Sequence, residues 1–197
     1  MGCYIGQFFG LVIAFSDEEK ESVENAAKEI KKKLEGNGIS VKFDNRDTQK
    51  PGFKFAEWEL KGVPLRIGIG PRDIQNGTVE LARRDTKEKS VVTIDGIEQT
   101  AKNLLNDIQI SIFNRAKVFR DTSIHQVETW EEFQKVLEEK AGFISAHWDG
   151  SSETEEKIKQ LTKATIRCIP LDNPKEDGKC VFSGNPSVQR VLFAKAY

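Results

Sequence analysis

A chain of 197 residues, 38% apolar and 31% charged, has the composition of an ordinary soluble protein and allows one large domain or two small ones. Its formal net charge of −1 excludes a bulk electrostatic pull on nucleic acid, so any RNA contact must come from a local patch. Three cysteines, at positions 3, 168 and 180, are too few and too scattered for a disulfide framework and suggest a reducing compartment.

The apolar run Tyr4 to Phe15 is broken by Gly6, Gln7 and Gly10. It lacks a basic leader and a cleavage site and is too short to span a bilayer, so a buried strand over about Leu11–Phe15 is expected. Ser16-x-x-Glu19 is a capping box. Behind it Val23, Ala26, Ala27, Ile30 and Leu34 recur at helical spacing until Gly36-Asn37-Gly38 stops the helix. Lys31, Lys32 and Lys33 near its end suit the helix dipole on a solvated face. Ile39–Asp44 reads as a strand, and strand–helix–strand at this length implies a parallel pair.

After the loop Asn45–Gly52, Phe53 to Leu60 reads as a short helix ended by Gly62. Pro64 then opens a strand in which Leu65, Ile67 and Ile69 alternate with Arg66, Gly68 and Gly70. Glu59 lies seven residues before Arg66 and Asp73 seven after it, so two carboxylates bracket a guanidinium over a helix, a strand and a tight turn. Such a unit serves either as an ordinary ion pair, the more common case, or as a recognition surface. Phe53 and Phe55 likewise suit either a core or a stacking face for an unpaired base. Gln75-Asn76-Gly77 is a turn signal, and Val79–Ala82 and Ser90–Ile94 read as strands joined by a charged connector, Arg83 to Lys89. Asp95 is the expected cap of a long helix whose apolar stripe runs from Ile97 through Leu105 and Ile112 to Phe119.

Arg120 to Gln126 is polar and without periodicity, which places a linker there. A second unit follows: a helix capped by Thr129-x-x-Glu132, a strand over Gly142–Trp148, a helix capped by Ser152-x-x-Glu155, and strands over Ala164–Ile169, Lys179–Phe182 and Arg190–Ala196. Chemistry is scarce. Neither histidine, His125 or His147, has an evident nucleophile partner, and no phosphate loop, nucleophile elbow or His-rich metal motif occurs.

The stretch PGFKFAEWELKGVPLRIGIGPRD, followed by TVELARRDTKEK, resembles the anticodon-binding domain of prolyl-tRNA synthetase of the archaeal/eukaryote-like type, and the closing VLFAKAY resembles that family's C-terminus. The likeness runs from about Ser16 to Tyr197, and residues 1–15 match only loosely. It implies an α/β fold, a mixed sheet flanked by helices as in class II synthetase anticodon-binding domains, over residues 1–120. A small α+β domain, zinc-binding-like, would occupy residues 127–197. By the same resemblance the guanine-reading residues fall on Glu59, Arg66 and Asp73, and a distal basic contact on Lys87 or, next, Arg83. The chemistry agrees. Guanine offers two adjacent donors that a carboxylate accepts as a pair, and acceptors at O6 and N7 that suit a guanidinium.

The implied role is tRNA anticodon recognition within a cytoplasmic proline–tRNA ligase. The implied partners are the tRNA(Pro) anticodon loop, an N-terminal class II catalytic domain and a second copy of the full-length enzyme, with no membrane. The three catalytic motifs, and with them ATP and Mg²⁺, are expected to lie outside this chain, which alone should not activate proline. It is then a piece of the enzyme or, alternatively, a free-standing paralogue acting as a protein-interaction or RNA-binding module. The family's four zinc cysteines correspond to Asp149, Thr154, Cys180 and Ser183, so zinc is not expected. The terminal carboxylate of Tyr197 is expected to reach toward the catalytic domain.

Overall fold

Leu65, Ile67 and Ile69 are buried while Arg66 and Gly68 between them are not, and this alternating strand lies at the centre of a five-stranded sheet. The computed structural model describes residues 8–13 and 20–195. The chain forms two compact units, Met1–Asn114 and Arg115–Tyr197. The expected capping box at Ser16–Glu19 and the role of Tyr197 lie outside the described residues.

In the first unit, β1 (Phe8–Ile13), α1 (Lys20–Gly36) and β2 (Ser40–Asp44) form the expected parallel pair. Then come α2 (Pro51–Leu60), β3 (Leu65–Ile69), α3 (Pro71–Asn76), β4 (Thr78–Arg83), β5 (Lys89–Thr93) and α4 (Ile97–Thr122). The strand order is β2-β1-β3-β4-β5, with β1 parallel to both neighbours and β3, β4 and β5 antiparallel. The sheet is therefore mixed. Its core joins Val23, Ala27, Ile30 and Leu34 of α1 and Ile97, Ala101, Leu105 and Ile108 of α4 to the inward residues of β3 and β4. Each valine, leucine or isoleucine among them contributes roughly 1.5–3 kcal/mol through burial.

Three expectations in this unit are corrected. The tight turn after β3 is a six-residue helix, because Pro71 supplies a ready first turn and Gly77, left-handed at φ 64°, ends it. Asp95 is not the residue before α4, since Gly96 at φ 72° stands between them. The apolar stripe of α4 is buried only as far as Ile108, while Ile112, Phe113 and Phe119 are exposed.

The second unit contains β6 (Ile124–Gln126), α5 (Trp130–Glu139), β7 (Phe143–His147), α6 (Ser152–Thr162), β8 (Ala164–Cys168), β9 (Gly178–Lys179), β10 (Pro186–Ser187) and β11 (Arg190–Lys195). Its sheet runs β6-β7-β11-β8, and β9 pairs with β10 alone. Phe133 anchors the core, stacked on Trp130 at 5.1 Å and edge-on to Phe193 at 5.2 Å. Thr129 and Glu132 form the expected capping box.

The expected linker Arg120–Gln126 is instead the end of α4 followed by β6, whose backbone pairs in parallel with β7. Helix α6 is capped by Ser151, not Ser152, through its hydroxyl oxygen and the Thr154 N–H. The expected strand Lys179–Phe182 is a turn beyond Lys179: the N–H groups of Val181 and Gly184 donate to His147 and Cys180 carbonyls. Gly178 is required at its position, because a Cβ there would sit 2.3 Å from His147 Nε2.

Candidate nucleic-acid interface

Gly62, at φ 85°, ends α2 and Pro64 starts the approach to β3, which puts Glu59 and Arg66 on the wall of one concavity of about 240 Å³. Phe55 and Trp58 of α2 share that wall, and Arg83, Arg84, Lys87 and Lys89 close it from β4, β5 and the turn between them. Arg66 lies flat against the Phe55 ring, with Cζ 3.6 Å from the centroid. Its side chain is only 15% exposed, and its nearest carboxylate oxygen, Glu80 Oε1, is 3.8 Å from Nη2. Its Nη1 is buried with no hydrogen-bond partner among the described residues. Burial pushes Arg66 below the usual guanidinium range, and Glu80 offsets part of that.

Glu59 lines the same opening as Arg66 and pairs with Lys87 at the tip of the β4–β5 turn. Both ends of that pair are accessible, at 45% and 65%, so it is an exchangeable contact. Lys87 reaches across from a left-handed backbone position, φ 64°. Arg83 lines the same space with a guanidinium already engaged by Asp85, at 2.8 and 3.1 Å, and by Asp107. Those partners, Asp85 foremost, hold it above the usual guanidinium range.

Glu59, Arg66, Lys87 and Arg83 thus share one site. Asp73 does not line it. Its Oδ2 accepts from the Gly70 N–H at 2.9 Å and closes the first turn of α3. Gly70 follows Arg66 by four residues, which is about 13 Å along an extended chain. Sequence reading missed Trp58, Arg84 and Lys89 as wall residues. The antiparallel register was the available signal for Lys89, since Ala82 stands opposite both Arg66 and Lys89. Arg84 had no such signal: its Nε donates to the Glu59 carbonyl at 2.8 Å, capping the end of α2.

Residues 11–104 match the family described as "Anticodon binding domain", and residues 130–197 match "Prolyl-tRNA synthetase, C-terminal". The chain is 58% identical over 182 residues to a proline–tRNA ligase of Flavobacterium johnsoniae, an alignment covering 92% of the chain and 37% of the relative. It is 59% identical over 182 residues to that of Flavobacterium psychrophilum and 51% over 186 residues to that of Bacteroides fragilis, with the same coverages. The chain joins an anticodon-binding domain to a prolyl-tRNA synthetase C-terminal domain. It spans 37% of the length of these synthetases. The archaeal/eukaryote-like type finds no support, because these relatives are bacterial.

In the synthetase C-terminal domain, three of the four positions expected to match the family's zinc cysteines, Asp149, Thr154 and Ser183, form a hydrogen-bond knot. Asp149 Oδ2 accepts from Thr154 Oγ1 at 2.9 Å, Ser183 Oγ at 2.6 Å and Asn185 Nδ2 at 3.3 Å, while Oδ1 takes the Ser151 N–H and hydroxyl at 3.0 and 2.9 Å. Burial works against the charge on Asp149, yet these donors, Ser183 first, hold its carboxyl well below the usual carboxylate range. Only Cys180 of the four positions can offer a thiolate, and the other three side chains are bonded to one another, so the set does not fit tetrahedral zinc.

Among the described residues no helix is long and apolar enough to cross a membrane.

Proposed function

We propose that this chain reads the anticodon of tRNA(Pro) as part of a proline–tRNA ligase. The observation behind the reading is a carboxylate and a guanidinium lying over a ring, the latter with a buried Nη1 that has no partner among the described residues, lining one small opening. Its volume lies below the roughly 300–1,000 Å³ of drug-sized ligand sites and suits one base. Guanine N1–H and N2–H donate to the Glu59 carboxylate once Lys87 moves aside, and O6 or N7 accepts from Arg66. Lys87 and Arg84 then face the RNA backbone, and the more tightly held Arg83 contributes field rather than contact. Asp73, in α3 beyond the end of β3, is proposed for the neighbouring guanine with the carboxylate oxygen not given to Gly70.

The rest of the proposed ligase supplies a class II catalytic domain with ATP and Mg²⁺ and a homodimer in the cytoplasm, and zinc has no part in it. The alternative, a protein-interaction module, is favoured by one feature: Ile110, Phe113, Val118 and Phe119 lie exposed on α4. Filter binding at two salt concentrations separates the two readings. RNA reading requires a proline-anticodon stem-loop to bind more tightly than one with a scrambled triplet, and both to weaken as salt rises. Equal binding of the two loops overturns it.

A further inference from the structure

Every α2 residue that walls the opening depends on where that helix sits, and among the described residues none of its side chains belongs to the apolar core of the unit. Its only buried residue is Lys54, with 2% of the side chain exposed, whereas Leu60 is 87% exposed. Lys54, Glu57, Trp58 and, just past the helix end and 52% exposed, Lys61 follow the spacing at which a helix ordinarily presents an apolar stripe. These side chains converge on the end of β2. Asp44, buried there, accepts from the Arg46 N–H at 3.2 Å, from Arg46 Nε at 2.9 Å and Nη2 at 2.6 Å, and from the Trp58 indole N–H at 2.7 Å. The Lys54 ammonium lies 3.9 Å from the same carboxylate. Arg46 Nη2 also donates to Glu57 at 2.6 Å, and Lys61 donates to the other Glu57 oxygen at 2.6 Å while lying over the Trp58 ring.

We infer that Asp44 is a positioning residue for base selection: its carboxylate clamps α2 through Trp58, Lys54 and Arg46 and so fixes Glu59 in the opening it lines together with Arg66. This rests on the guanine reading above. Apolar contacts are non-directional and let a helix slide by tenths of an ångström, whereas converging charge-assisted hydrogen bonds fix both rotation and translation. A carboxylate that must meet two donors of one base edge needs that second kind of seating. Trp58 links the two functions, since one residue both bonds Asp44 and walls the opening.

The test compares stem-loops carrying guanosine or inosine at each guanine of the proline triplet, inosine lacking only the 2-amino donor. The unmodified protein should prefer guanosine roughly tenfold at one position, the value of one hydrogen bond to a charged group. Asp44→Asn should reduce that preference to about twofold or less. The double change Asp44→Leu with Lys54→Met removes both buried ions together, which avoids stranding the lysine charge but leaves the Trp58 indole and Arg46 without that acceptor. It should melt below the parent yet unfold cooperatively, and at temperatures where it is fully folded it should still bind the loops and lose the preference, an outcome that a purely structural role for Asp44 does not produce. A folded double variant that keeps the full guanosine preference overturns the clamp. If the unmodified protein itself ignores the 2-amino group, the guanine reading fails, and the clamp's role in selection with it.

Discussion

Removing the charge from Glu59 isolates base reading from everything else in the concavity. In the free protein the Glu59 carboxylate is paired with Lys87, and because both ends are accessible the pair stabilises by about 0–1 kcal/mol. Binding guanine exchanges that contact for two parallel N–H···O bonds worth about 1–3 kcal/mol of discrimination. Glu59→Gln keeps the length and one acceptor but turns an NH₂ group toward a donor edge. Subtracting the pair that must be broken leaves a loss of about 1–2 kcal/mol, or about 5–30-fold in Kd. The assay is titration of proline-anticodon and scrambled stem-loops against parent and variant at one salt concentration. The proline loop should weaken by that factor and the scrambled loop should barely change. An equal loss for both loops would make Glu59 a general electrostatic contributor, and no loss for either would remove it from the interface.

Lys87→Met should weaken both loops alike and lower the slope of log affinity against log salt by about one. Acid sensitivity in the first unit should trace to Asp44, which the Arg46 guanidinium above all, with the Trp58 indole, holds well below the usual carboxylate range against the cost of burial. Its folded pKa lies under the unfolded value of about 3.9, so its stabilisation is complete above that pH and drains away as pH falls below it. Asp44→Asn should therefore flatten the acid limb of a stability–pH curve. Asp149→Asn weakens or removes acceptors for Ser151, Thr154 and Ser183, and urea unfolding should show the second unit destabilised by about 1–3 kcal/mol. Phe133→Ala, at a fully buried ring between Trp130 and Phe193, should cost that unit about 3–5 kcal/mol in the same measurement.

Periodicity made the central elements legible. Leu65, Ile67 and Ile69 announced a half-buried strand, and Val23, Ala27, Ile30 and Leu34 announced the helix packed over it. Periodicity says nothing about a segment whose backbone bonds are satisfied without burying side chains. Arg120–Gln126 therefore read as a linker although it completes α4 and adds β6 to the second sheet. Lys179–Phe182 misled in the opposite sense. Val181 is buried by the core of its unit, but its N–H goes to the His147 carbonyl and no strand ladder forms. In the candidate site, Glu59 and Arg66 were legible because a helix end and a strand start separated by Gly62 and Pro64 must fold back on each other. Asp73 stands equally far from Arg66 in sequence, but an extended strand carries it away instead of returning it.

Helix α2 is where sequence and structure disagree most usefully. Binary patterning would bury Phe53 and Leu60 and expose Lys54, Glu57 and Lys61, yet Phe53 and Leu60 face solvent and Lys54 is the buried residue. Burial pushes the Lys54 ammonium below the usual lysine range, with Asp44 pulling the other way, so its charge is kept at some cost to stability. An inverted helix of this kind is a poor solution for stability alone, since an apolar face on the same scaffold would hold without desolvating a lysine and an aspartate. Local rules are broken where position matters more than stability. Here the violation lies directly behind Phe55, Trp58 and Glu59, the three residues α2 contributes to the opening. The polar seat is therefore best understood as part of the recognition apparatus. Replacing Asp44 and Lys54 together by apolar side chains should abolish selectivity while leaving a cooperatively folded unit, because the two demands on α2 are different.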